Sequence, residues 1–220
     1  MIKENVEKII NNLPKYNKFG EKITLVGATK TQTVEAINQA IAAGLTDIGE
    51  NKAQEFRDKF PLVLPCNYHF FGRLQSNKVK YLIGKACLIQ SVDSIPLASE
   101  ISRLSSKLNV TTNILIEVNL GEEQKGGVPI SEVLSFYNDI LNYPNIVVKG
   151  LMAVLPQGNE KSLRENCLQM RKLYDILKGS SENISILSMG MTQDYNIAID
   201  EGSNMIRLGT AIFGSRNYEV

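Results

Sequence analysis

The sequence predicts an α/β fold, a single (β/α)8 TIM-type barrel over residues 1–220 with an additional N-terminal helix. Three observations predict it. Eight short apolar runs recur along the chain, and segments of helical period separate them. The 220 residues are about the minimum such a barrel needs. A doubly wound open sheet is the alternative, but no GxGxxG follows the first run and no GxxxxGK[ST] occurs anywhere.

The elements follow in order. "MIKENVEKII" opens an amphipathic, charged segment that predicts a helix over roughly Lys3 to Lys18. The strand candidates are "ITLVGATK", "DIGE", "NYHFFG", "CLIQSVD", "TNILIEVN", "IVVKGLMAVL", "SILSMG" and "MIRLGTAIFG". Between them lie "TVEAINQAIAAG", "NKAQEFRDKF", "SIPLASEISRLSSKLN", "SEVLSFYNDILN" and "EKSLRENCLQMRKLYDILKG", several ending on glycine or asparagine as helix C-termini do. "LQSNKVKYLIGK" reads as a solvated helix face, and each strand but the last is expected to precede a helix. "LGEEQKGGVPI" is the longest polar, glycine-rich loop and is expected to be mobile.

Composition narrows the function classes. A formal net charge of +1 supplies no global field for nucleic acid or an anionic membrane. No apolar run approaches the ~20 residues that span a bilayer, and the N-terminus lacks the apolar core of a secretory signal. Cys66, Cys87 and Cys167 are an odd set without CxxC spacing, so they read as packing thiols rather than disulfides or zinc ligands. The expectation is a cytoplasmic protein without a bound metal.

In such a barrel the chemistry gathers at the C-terminal ends of the strands. Those ends supply Lys30, Glu50 and Asn51, His69, Ser91 and Asp93, Asn119, Ser188 and Gly190, then Arg207, Gly209 and Thr210. Ser, Gly and Thr at the last two strands occupy the usual phosphate position, where hydroxyls and exposed backbone N–H groups can donate to a dianion. Arg207, between Ile206 and Leu208, is either a buried ion-pair member, with Glu117 or Asp200, or a ligand contact. His69 is the only histidine and reads first as a hydrogen-bonded core residue, with a catalytic base as the alternative.

A lysine on the first strand, a phosphate cradle on the last two and an arginine between them resemble the barrel domain of alanine-racemase-type pyridoxal-phosphate enzymes. More closely, "VGATKTQ", "DIGENKAQE", "HFFGRLQSNKVK", "SVDS", "IEVNLGEEQKGG", "KGLMAV", "LSMGMTQDYNIAI" and "IRLGTAIFG" resemble the pyridoxal phosphate homeostasis protein family (YggS/PROSC-like) over nearly the whole chain. The resemblance implies pyridoxal 5′-phosphate held as a Schiff base on Lys30. It places the phosphate on Ser188, Gly209 and Thr210, Asn51 near the cofactor, and Arg207 against the pyridine nitrogen. It further implies a carrier or buffer of intracellular vitamin B6, not an enzyme, acting as a monomer, with apo pyridoxal-phosphate enzymes as partners and no part for nucleic acid or membrane. Lys125 is a second lysine, read as solvated.

The alternative within the same cofactor chemistry is an amino-acid racemase. Racemases of this barrel type resemble this chain plus a β-domain that completes the site, and nothing after Phe213 is long enough to be one. A phosphosugar-type barrel enzyme using Lys30 directly on its substrate is the third reading.

Overall fold

Runs of three to eight apolar-rich residues are too short for helices, and here they pair side by side as parallel strands. The computed structural model describes residues 1–122 and 125–214. Its strands are β1 (Thr24–Ala28), β2 (Asp47–Glu50), β3 (Asn67–Phe70), β4 (Leu88–Val92), β5 (Thr112–Asn119), β6 (Val128–Pro129), β7 (Ile146–Met152), β8 (Ile186–Ser188) and β9 (Met205–Leu208). Neighbours run β4-β3-β2-β1-β9-β8-β7-β5, and a β4–β5 pairing closes the ring. Eight parallel strands make the barrel the sequence predicts, while the two-residue β6 only flanks β5.

The helices are α1 (Ile2–Asn12), α2 (Val34–Ala42), α3 (Ala53–Lys59), α4 (Ile95–Lys107), α5 (Val133–Ile140), α6 (Glu160–Ser180), α7 (Tyr195–Asp200) and α8 (Thr210–Phe213). Local chemistry starts several of them. The Thr33 hydroxyl accepts from the Ala36 N–H at 3.2 Å and the Asn159 side chain from Ser162 N–H at 3.0 Å, each satisfying an otherwise orphaned first-turn donor.

Three sequence expectations need correction. The first helix stops at Asn12 instead of Lys18, because Leu13 precedes Pro14 and is pushed to extended backbone. "LQSNKVKYLIGK" forms only a 3-10 turn, Ser76–Tyr81, and it is not merely solvated: Val79 and the following Leu82 are fully buried. The last strand ends at Leu208, and the rest of "MIRLGTAIFG" turns into α8. The seventh strand candidate precedes a helix as expected, the short α7, whereas the last, expected to precede none, is followed by α8. Glu123 and Gln124 of the glycine-rich loop lie outside the described residues.

The core has two layers. A small one inside the barrel holds Val26, Leu88, Leu115, Met152 and Met205, and a larger one lies between strands and helices. In the outer layer Phe56 of α3 packs on Tyr68 of β3 with ring centroids 4.4 Å apart. Burying one such ring is worth about 1.5–3 kcal/mol. The strands also close tightly around Gly150 (φ +147°), where a Cβ would overlap the Ile186 carbonyl. Only glycine permits that approach. The three cysteines lie within this packing, and burial pushes their thiols up, Cys66 to about 11 and Cys87 and Cys167 to about 12. Among the described residues no helix is long and apolar enough to cross a membrane, and no metal-binding group of His, Cys, Asp and Glu assembles.

Candidate functional site

β1 ends at Ala28, and the chain continues through Thr29 to deliver Lys30 half-buried at the barrel mouth. Both chain neighbours of Lys30 are tied down. Thr29 is fully buried, and its hydroxyl donates to the Gly49 carbonyl at 3.0 Å and lies 2.9 Å from Glu50 Oε1. Lys59, from α3, donates to Glu50 Oε1 (2.7 Å), to Glu55 Oε2 (2.8 Å) and to the Thr29 carbonyl (3.1 Å). On the other side Thr31 has φ +65°, an uncommon state for a β-branched residue, and its N–H donates to Glu55 Oε2 at 3.1 Å. Burial raises the Glu50 carboxyl above its ordinary value, and the Lys59 ammonium partly offsets this. Glu50 thus faces the helix layer and serves the strand end.

A cavity of about 760 Å³ opens at the mouth, and Lys30, Arg207, Gly209 and Thr210 all line it. The two glycines of the last strand ends differ in what they allow. Gly190 has φ +100°, and a Cβ there would come within 2.8 Å of Ala198, so backbone and packing both require glycine. Gly209 has φ −111°, and a Cβ would meet only Ala28, at 3.5 Å. Among the described residues nothing demands glycine at 209, so what the missing side chain provides is room in the cavity.

Arg207 is 4% exposed, donating from Nη1 to Ser188 Oγ at 2.6 Å and from Nη2 to the Ala153 carbonyl at 2.9 Å. Neither expected ion pair forms: Asp200 is exposed and lies 3.6 Å from Arg164, and among the described residues no carboxylate reaches Arg207 within salt-bridge distance. Burial lowers the guanidinium to about 10, against the longer-range pull of Glu117 and Asp194, so it stays charged at neutral pH. The Glu117 carboxyl is pushed up to about 7 by burial and by Asp93, with Arg207 and Arg73 opposing.

Two expected site residues do not line the cavity. Ser188 is fully buried beneath it, and its one proton goes to Gln90 Oε1 at 2.7 Å while it accepts from Arg207. With that proton on Gln90, Ser188 acts in this arrangement as a support for Arg207. Asn51 follows β2, next to the end of β1; its N–H donates to Glu50 Oε2 at 3.3 Å, and its buried Oδ1 has no donor among the described residues. His69 is a core residue, hydrogen-bonded to Asp47 and Gln90. Lys125 is exposed and pairs with Glu122 beside a separate cavity of about 110 Å³ that Glu117 and Asn119 also line.

The site residues missed from sequence are the turns at its walls, Pro156–Gly158 after β7 and Met191–Asp194 after β8. A signal existed for both, since "LPQGNE" and "MGMTQD" are turn-rich stretches that directly follow barrel strands.

With this geometry in place, the chain matches the family described as alanine racemase, N-terminal domain, over residues 2–217. Pyridoxal phosphate homeostasis proteins of Aquifex aeolicus (42% identical, covering 88% of this chain and 87% of that one) and Escherichia coli (32%; 96% and 94%) are similar throughout. The solved structure of PipY from Synechococcus elongatus with PLP bound superposes with a TM-score of 0.86 at 27% identity, covering 97% of this chain and all of PipY. Alanine racemase of Clostridium difficile shares the fold at 14% identity (TM-score 0.81), and the present chain spans 57% of its length. The chain belongs to the pyridoxal phosphate homeostasis protein family, within the wider alanine racemase N-terminal domain family.

Proposed function

We propose that this protein binds pyridoxal 5′-phosphate at the barrel mouth, attached through Lys30, and acts in intracellular vitamin B6 homeostasis by holding and releasing it. The observation that carries the reading is the shared cavity. It sets a lysine amine, a permanent guanidinium donor, a threonine hydroxyl and an unfilled glycine position around a space of about 760 Å³. That donor set suits a molecule with an aldehyde, a ring nitrogen and a phosphate. When bound, the cofactor supplies an aldehyde carbon that condenses with an amine, releasing water.

In this reading Lys30 provides the amine, and the clamp of Glu50, Lys59 and Glu55 keeps its backbone still. Thr210 and the space at Gly209 take the phosphate, with Thr192 on the adjoining wall. Asn51, with an orphaned buried oxygen beside the strand end, turns toward the cofactor. Arg207 donates to the ring nitrogen. Because a guanidinium cannot accept a proton, it leaves that nitrogen unprotonated and the ring a poor electron sink. This supports holding over turnover.

A racemase-type catalyst is the second reading, and Glu117 is what favours it, as a carboxyl pushed to about 7 near the mouth. It lines the other, smaller cavity, however, together with Lys125. The test is to titrate apo-protein with pyridoxal phosphate, reduce with borohydride and map the peptide. Attachment at Lys30, no racemisation of added chiral amino acids, and activation of an apo pyridoxal-phosphate enzyme are expected. Attachment chiefly at Lys125 or Lys78 would overturn the site, and rapid Lys30-dependent racemisation would overturn the carrier role. A doped protein that never activates the acceptor would point to storage instead of delivery.

A further inference from the structure

Five side chains inside the barrel form one unbroken hydrogen-bond chain that ends on Arg207. Arg207 Nη1 donates to Ser188 Oγ at 2.6 Å, and Ser188 Oγ donates to Gln90 Oε1 at 2.7 Å. Gln90 Nε2 then lies 3.1 Å from His69 Nδ1, and His69 Nε2 lies 3.0 Å from Asp47 Oδ1. All five residues are less than a tenth exposed.

The direction of this chain follows from chemistry alone. A guanidinium has no lone pair to offer, so Ser188 must accept from it and send its single proton onward. Among the described residues its acceptor is the Gln90 oxygen, which turns the Gln90 amide nitrogen toward His69. His69 Nδ1 must therefore be bare, with the ring proton on Nε2 facing a carboxylate that can only accept. Asp47 is suited to that end. Burial alone would raise its carboxyl, but hydrogen bonds from His69, Thr46 and Asn67 lower it, so it is ionised. A donor-only cation at one end and an acceptor-only anion at the other leave the three groups between them a single arrangement.

We propose that Gln90 and His69 are positioning residues for the ring nitrogen of bound pyridoxal phosphate, acting by locking the Ser188 lone pair onto Arg207. The proposal rests on the cofactor reading above, but neither residue lines the cavity. Arg207 has a long, flexible side chain and, among the described residues, no carboxylate to anchor it. A serine and one backbone carbonyl hold it instead. If Gln90 cannot accept, the Ser188 proton loses its destination, and the hydroxyl is free to rotate away from the guanidinium. The N–H groups that Arg207 keeps for a ligand then lose their aim. The network does for Arg207 what the Glu50–Lys59 clamp does for Lys30.

The experiment is a double-mutant cycle between Gln90→Met and Arg207→Met, with Ser188→Ala as a second route to the same break. Gln90→Met should weaken pyridoxal phosphate binding roughly tenfold and shift the visible band of the bound cofactor toward that of Arg207→Met. Borohydride should still attach the cofactor at Lys30. In the Arg207→Met background, Gln90→Met should add almost nothing. Equal losses in both backgrounds, or a wild-type spectrum and affinity in Gln90→Met and Ser188→Ala, would overturn the proposal. Wild-type protein that does not bind the cofactor at all would overturn the cofactor reading. The Gln90–Arg207 coupling is then read from denaturant unfolding of apo-protein, where additivity refutes the hold on Arg207 and non-additivity supports it.

Discussion

Lys59 Nζ donates to Glu50 Oε1 at 2.7 Å, with the Glu50 side chain wholly buried and that of Lys59 13% exposed, directly behind the strand end that carries Lys30. Removing one partner strands a charge in the packed layer between β2 and α3. Lys59→Met should therefore cost about 3–5 kcal/mol, and adding Glu50→Gln should restore part of it, because the residual group is then neutral. Urea unfolding of the single and double variants measures this. A loss below about 1 kcal/mol would mean that the pair is solvated.

The phosphate end of the cavity separates affinity from stability. Losing the Thr210 hydroxyl removes one charge-assisted hydrogen bond, about 1.5–3 kcal/mol, so Thr210→Ala should bind pyridoxal phosphate roughly tenfold to hundredfold more weakly. Pyridoxal, without phosphate, should be indifferent to the change. Gly209→Ala should melt close to wild type, since its Cβ meets nothing nearer than 3.5 Å among the described residues, yet it should weaken cofactor binding. Equal titrations of pyridoxal and its phosphate would refute this assignment.

Glu117 should make stability fall as pH rises. Its carboxyl is raised from 4.5 to about 7, so the folded state binds the proton more tightly than the unfolded one. That contribution is complete below pH ~4.5 and lost as pH climbs through about 7. Glu117→Gln, permanently neutral, should gain on wild type by about 1–3 kcal/mol between pH 5 and pH 8. A melting-temperature difference that does not change with pH would show that the carboxyl is well solvated.

Glu21 has the opposite sign. Burial would raise it, but Arg171, Lys178 and Asn17 donate to it and hold it at about 2. These contacts tie the segment between α1 and β1 to α6 across the bottom of the chain's fold, with Arg171 Nη1 at 2.7 Å. Their stabilisation is present above pH ~4.5 and lost as pH falls towards about 2. Glu21→Gln should accordingly melt lower than wild type at pH 6, and the gap should close on acidification. A gap that persists at pH 2 would place the effect in packing rather than charge.

The sequence by itself determined the eight barrel strands and four of the residues that meet at the mouth. A parallel barrel strand is buried on both faces, so it reads as an apolar run, and the residues at and just past its C-terminal end border the site. Lys30, Arg207, Gly209 and Thr210 were legible for that reason, and all four line one cavity. Only the tertiary structure decided that Ser188 accepts from Arg207 and donates to Gln90, and that Glu50 braces the strand end from the helix side. Alternation along a strand tells which way a side chain faces but not which distant group will take its proton. Gln90 and Ser188 are 98 residues apart in the chain and meet only because closing the barrel turns β4 and β8 toward a common interior, where a buried hydroxyl must find a partner.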